Sequence, residues 1–186
     1  MDTALADTAA RKTYADYCQL PEGAPYQLIG GEFILTPAPG TYHQVVLFNL
    51  AVEMGNFVRQ RGLGRVLLAP VDVYLGETEA YQPDIIFVAR ERMGIMEPQR
   101  INGPPDLVVE ILSPATAYYD LRKKFKVYER CGVREYWIVD PQEKSIQVFV
   151  PKEGKFVLDQ EAERAGEISS RVLPGFAVRL EVIFEG

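Results

Sequence analysis

The alternation of apolar and polar positions marks out a series of elements along the chain. Thr13 with Asp16 three residues on is a capping-box pattern, predicting a short helix that ends near Leu20-Pro21. The runs 26–29 (Tyr-Gln-Leu-Ile) and 32–35 (Glu-Phe-Ile-Leu) flank Gly30-Gly31, a two-residue hairpin signal. Pro37-Ala38-Pro39-Gly40 then breaks the second strand. Over residues 41–61 the apolar positions Leu47, Leu50, Ala51, Met54, Phe57 and Val58 recur at three and four. That is the stripe of an amphipathic helix packed on a core, with Gly62 placed to end it. His43 lies one turn before Leu47 on the same stripe, so its ring is expected to face a sheet.

Strand signals dominate the middle. Residues 65–68 and 71–75 are short runs separated by Pro70, and 76–79 read as a polar turn. Gln82-Pro83-Asp84 leads into 85–88, a nearly all-apolar buried strand. Gly94, Pro98, Asn102-Gly103 and Pro104-Pro105 make 89–105 loop-like, whereas 106–112 is the strongest strand pattern in the chain. Ser113-Pro114-Ala115-Thr116 caps a second helix running to Cys131-Gly132. Strands at 135–140 and 145–150 follow around Pro141, and the chain beyond Lys152 is β-rich, with a last strand near 176–184. No internal repeat is visible. The order predicts a frayed tail over 1–12 and one α/β (α+β) domain over 13–186, with a central mixed sheet flanked by helices.

Composition narrows the class. A length of 186 residues suits one domain, and 47% hydrophobic with 25% charged residues excludes wholesale disorder. Ten Tyr and nine Phe among thirteen Pro and fifteen Gly disfavour a helical bundle. Cys18 and Cys131 form no CxxC or Cys/His cluster and read as reduced thiols. Asp2 and Asp7 stand where a signal peptide would carry Lys or Arg, and no apolar run reaches membrane-spanning length. A cytoplasmic protein with no membrane partner is the expectation. The net charge of -6 argues against nonspecific coating of nucleic acid. A nucleic-acid role would need a local patch, and Arg122, Lys123, Lys124, Lys126, Arg130 and Arg134 offer one, or else a solvated helix face.

The chemical signal is a set of acids inside apolar strands. Glu110 sits in the middle of Leu107-Val108-Val109-Glu110-Ile111-Leu112, where a buried charge must be paired or hold a metal. Asp84 heads the other most apolar strand, and Asp72 stands alone among Val71, Val73 and Tyr74. Any one of them would serve as a strand cap or salt bridge. Asp120, Lys124 and Tyr128, spaced at four, share a helix face that can turn back toward Glu110, or form a plain i,i+4 ion pair. Two carboxylates and a lysine suit phosphodiester cleavage. The acids make a hard-oxygen site for Mg²⁺ with Mn²⁺ as substitute, and the lysine orients the attacking water or stabilises the developing oxyanion. Zinc spacing, a GxSxG elbow, a P-loop and GxGxxG are all missing.

These residues resemble a known family. Gln82-Pro83-Asp84, then 105–114 around Glu110, then Asp120 with Lys124 and Tyr128, then 132–141 are similar to the Uma-two family, largely bacterial proteins assigned as endonucleases of the PD-(D/E)xK, restriction-endonuclease-like superfamily. The Leu28 to Glu32 hairpin and the Pro39 to His43 segment also match, so the resemblance spans roughly 13 to 185. It implies Asp84, Glu110 and Lys124 as catalytic residues, and Asp84, Glu110 and the Ile111 carbonyl as metal ligands. His43, Asp72, Asp120 and Tyr128 are the supporting residues. The position two after Glu110, where the superfamily carries its lysine, is Leu112, so the resemblance implies that the helix supplies it as Lys124. DNA is the implied substrate, and a homodimer is expected because two symmetric sites cut both strands of a duplex. Two other classes stay open: a nuclease-fold protein that binds or regulates without cutting, and a hydrolase of small phosphoesters.

Overall fold

The computed structural model describes residues 10–185. The short helix α1 (Tyr14–Tyr17) starts on the expected capping box: Asp16 N–H donates to Thr13 Oγ1, and Thr13 N–H donates back to the Asp16 carboxylate. Strands β1 (Tyr26–Ile29) and β2 (Glu32–Leu35) form the hairpin, with Ile29 opposite Glu32. Gly30 and Gly31 both adopt positive φ, as a tight hairpin turn requires. The tail boundary lies earlier than expected, because Lys12 N–H donates to Gly31 O at 2.8 Å. Residues 1–9 of the predicted tail lie outside the described residues.

Helix α2 (Thr41–Arg61) has the predicted limits and ends on Gly62 in the left-handed conformation. Val46, Leu47, Leu50, Met54 and Val58 are buried from it, each stabilising the fold by about 1.5–3 kcal/mol. They pack on a six-stranded sheet ordered β11-β10-β9-β8-β6-β3. Its members are β3 (Gly64–Leu68), β6 (Ile85–Ala89), β8 (Leu107–Ile111), β9 (Glu135–Asp140), β10 (Ser145–Lys152) and β11 (Lys155–Glu163). Only β8 and β9 pair in parallel, so the sheet is mixed as predicted. Trp137, opposite Val109 on β9, is fully buried on the α2 side, and its indole N–H donates to Glu135 Oε1 at 2.6 Å.

Part of the middle differs from its sequence reading. Glu79–Tyr81, whose first residue the sequence reading puts in a turn, is strand β5, which pairs with β1 and with β4 (Val73–Gly76). The expected loop at 89–105 contains a 3-10 helix (Arg90–Ile95) and strand β7 (Ile101–Asn102). These strands build a second sheet ordered β2-β1-β5-β4-β7, against the opposite face of the first. The chain crosses from one sheet to the other through Gln82-Pro83-Asp84. The predicted last strand near 176–184 is divided between β13 (Ala177–Arg179), which pairs with β12 (Glu167–Ser169), and the short helix α4 (Leu180–Ile183).

The second helix is not regular. After the turn at Ser113–Thr116, Tyr119–Lys124 form a π-helical segment that runs into α3 (Phe125–Cys131). No helix among the described residues is long and apolar enough to cross a membrane.

Candidate active site

β6 and β8 are antiparallel with Ile85 opposite Val109, so one step further Asp84 stands across from Glu110. Asp84 Oδ2 accepts the Ile111 N–H at 2.8 Å, which fixes its carboxylate at the end of β8. Side chains alternate along β8: Val109 and Ile111 enter the core under α2, while Val108 faces the aromatic cluster beneath α3. Glu110 shares the side of Val108 and is 3% exposed.

Burying a carboxylate costs several kcal/mol unless it is paired. Lys124 Nζ donates to Glu110 Oε1 at 3.0 Å and Tyr128 OH donates to the same oxygen at 2.7 Å. Lys124 also lies 2.9 Å from Asp120 Oδ1, and Tyr136 OH donates to the Asp120 carbonyl. Thus Asp120, Lys124 and Tyr128 converge on Glu110. The π-helical segment permits this: four residues of α-helix overshoot a full turn by about 40°, whereas the wider π turn rotates less per residue and offsets it.

The charges set each group's protonation. Burial pushes the Glu110 carboxyl up to about 8, with Lys124 opposing and Asp120 and Asp84 adding to the rise. Burial also works against the Lys124 charge, but Glu110 and Asp120 outweigh it and hold the ammonium above the ordinary lysine value. Tyr128 is pushed far up by burial and by Glu110, so it stays a neutral donor. His43 Nε2 lies 3.1 Å from Ile111 O and 3.5 Å from Asp84 Oδ2, and its Nδ1 is buried without a partner among the described residues. Burial disfavours its charged form, yet the hydrogen bond and charge of Asp84 raise its pKa overall.

Asp84, Glu110, His43, Ile111 and Lys124 line one cavity of about 610 Å³. Asp72 is not among them. It accepts hydrogen bonds from Tyr17 OH at 3.0 Å and Gln82 Nε2 at 2.9 Å and lines a neighbouring cavity instead, because the docking of α1 carries Tyr17 to it. Gln27 and Thr36 of the cavity wall escaped the sequence reading. Gln27 Oε1 accepts the Gln82 N–H, and Gln27 Nε2 donates to Thr36 Oγ1. The signal was there: Gln27 is a polar residue in an apolar strand and is 3% exposed, the same pattern that singled out Glu110.

The donor set fits a hard divalent cation. Among the described residues, Asp84 Oδ1 and Glu110 Oε2 accept no protein hydrogen bond, and the Ile111 carbonyl has a second lone pair beyond the one facing His43. No group of three His, Cys, Asp or Glu among those residues could enclose an ion. Two carboxylates with waters is the manner in which Mg²⁺ is commonly held. The predicted basic patch is partly dismantled: Lys124 is buried in the site, and Arg134 donates to Asp106 at 3.0 Å.

A mixed α+β domain with flanking helices and an acidic cluster at the seam of two sheets is the class this geometry defines. The chain belongs to the Uma2 family, described as "Putative restriction endonuclease", which it matches over residues 13–182. The Uncharacterized protein sll1609 of Synechocystis is 29% identical over 136 residues, covering 69% of this chain and 74% of that protein. The crystal structure of "a putative nuclease belonging to DUF820" from Anabaena variabilis superposes with a TM-score of 0.76 at 21% identity, covering 92% of this chain and 97% of the other. That likeness establishes the fold.

Proposed function

We propose that the chain is a metal-dependent endonuclease that hydrolyses phosphodiester bonds of DNA. The observation that carries this reading is the pair Asp84 and Glu110, opposite each other in one cavity, each with a carboxylate oxygen unengaged among the described residues and with a buried lysine on Glu110. Asp84 Oδ1, Glu110 Oε2 and the Ile111 carbonyl would hold Mg²⁺ or Mn²⁺. The ion would supply positive charge against the scissile phosphate and lower the pKa of water.

Lys124 stays protonated between two carboxylates, so it acts as a fixed positive charge and hydrogen-bond donor toward water or the developing oxyanion, not as a base. Tyr128 and Asp120 hold that ammonium and Glu110 in register. His43 steadies the end of β8 through the Ile111 carbonyl and adds a second cation beside Asp84 when protonated. The test is incubation with DNA in Mg²⁺ or Mn²⁺, compared with Asp84→Asn and Glu110→Gln. Both substitutions are expected to lower cleavage a hundredfold or more. Metal binding without cleavage by the unaltered protein would instead support the non-cutting, regulatory alternative.

A further inference from the structure

Helix α2 is apolar on two faces. Val46, Leu47, Leu50, Met54 and Val58 enter the core, while Val45, Phe48 and Val52 stand on the outer side, 37%, 66% and 38% exposed. A surface helix ordinarily sets polar residues opposite its buried stripe. Among the described residues α4 reaches only one flank of α2, where Tyr42 OH donates to the Phe184 carbonyl and Asn49 Nδ2 to those of Ile183 and Glu185. The outer face stays bare.

Its pattern is that of a helix–helix seam. Thr41, Val45, Phe48, Val52, Gly55 and Arg59 recur at alternating spacings of four and three. Gly55 lies on this seam in the helix interior, where glycine weakens a helix relative to alanine. No positive φ requires it, and an added Cβ would meet nothing within 4 Å, so no packing among the described residues explains it. A glycine on an outer face admits a large side chain from another helix.

We infer that this face is a homodimer interface, on which a second copy lays its own α2 in antiparallel orientation. That pairing sets Phe48 against Val52, Val45 against Gly55 and Thr41 against Arg59 of the second copy, so larger meets smaller at each level. A parallel pair would set every position against itself, leaving a gap at Gly55 and bringing two Arg59 guanidinium groups together. Gln44 and Asn56 beside the seam are uncharged, and one arginine at its end does not make a phosphate-binding surface. The seam is about 27 Å long, which puts the contact at the small end of specific interfaces, below about 1,200 Å² in total. Association is therefore reversible, in the micromolar range. His43, Gln44 and Leu47 line the Asp84–Glu110 cavity from one flank of the seam. A twofold axis brings like flanks together, so both cavities fall on the same side of the dimer. The inference stands apart from the nuclease reading, because it rests on the outer face of α2 alone.

The experiment is sedimentation velocity of the whole chain from about 1 to about 500 µM at low ionic strength. The unaltered protein should pass from one chain to two as concentration rises. Phe48→Glu should raise the dissociation constant at least tenfold with the unfolding temperature unchanged, since the side chain it replaces is exposed. Gly55→Leu should weaken association as much by displacing Val45 of the second copy. In dilute protein it should leave the unfolding temperature equal or higher, because leucine favours the helix and the space is open. Thr41→Glu should tighten association severalfold through Arg59 of the second copy, a gain that Arg59→Ala erases. A single chain at every concentration overturns the inference, and so does association unmoved by Phe48→Glu. Association unmoved by Gly55→Leu, or not tightened by Thr41→Glu, overturns the antiparallel register.

Discussion

Glu110 is the side chain on which opposing forces meet most sharply. Its folded pKa near 8 lies above the ordinary 4.5, so the folded protein holds that proton more tightly than the unfolded chain does. Stability therefore falls as pH rises from about 4.5 to about 8. His43, also raised, adds a contribution present below its ordinary value of 6.5 and lost above its folded pKa, with the same sign. Urea unfolding of metal-free protein at pH 5, 6.5 and 8 should show this decline, and Glu110→Gln should flatten most of it. Glutamine keeps an acceptor for Lys124 and Tyr128, so at pH 7 the same substitution should change metal-free stability by no more than about 1 kcal/mol. Lys124→Met is different. It strands Glu110 and Asp120 in a buried site and should cost about 3–5 kcal/mol in the same measurement.

At the scale of elements, the π-helical segment shows how an approximate sequence argument can reach the right face by the wrong geometry. Spacing at four predicted that Asp120, Lys124 and Tyr128 would turn toward Glu110, and they do, although the first of the two turns is not α-helical. The hairpin, α2 and its glycine stop, and the apolar strands β6 and β8 were legible because their signals are local. The second sheet was not, because its pairings join strands of two to four residues far apart in sequence, such as β1 with β5 and β4 with β7. Asp72 was misplaced for the same reason: its partner Tyr17 reaches it across 55 residues. Backbone fit is equally invisible in a pattern of apolar positions. Gly64, at φ +152°, opens β3 where an added Cβ would lie 2.1 Å from the Val88 carbonyl oxygen. Gly64→Ala should therefore destabilise by at least about 2 kcal/mol in thermal unfolding.

For the whole molecule, the site occupies the seam where Gln82-Pro83-Asp84 carries the chain between sheets. An ion bound there stabilises the folded state by mass action, about 2.7 kcal/mol at a hundredfold excess over Kd. Mn²⁺ should accordingly raise the unfolding temperature of the unaltered protein by several degrees and leave Glu110→Gln where it was; differential scanning calorimetry reads both.

The buried indole of Trp137 carries a practical consequence. It is the one tryptophan of the chain, and it lies one strand from Glu110 but on the other face of the sheet, under α2. Its emission is a built-in optical reporter of whether the six-stranded sheet is intact, on the face away from Glu110. Fluorescence can therefore follow unfolding in the presence of Mn²⁺ without an added dye.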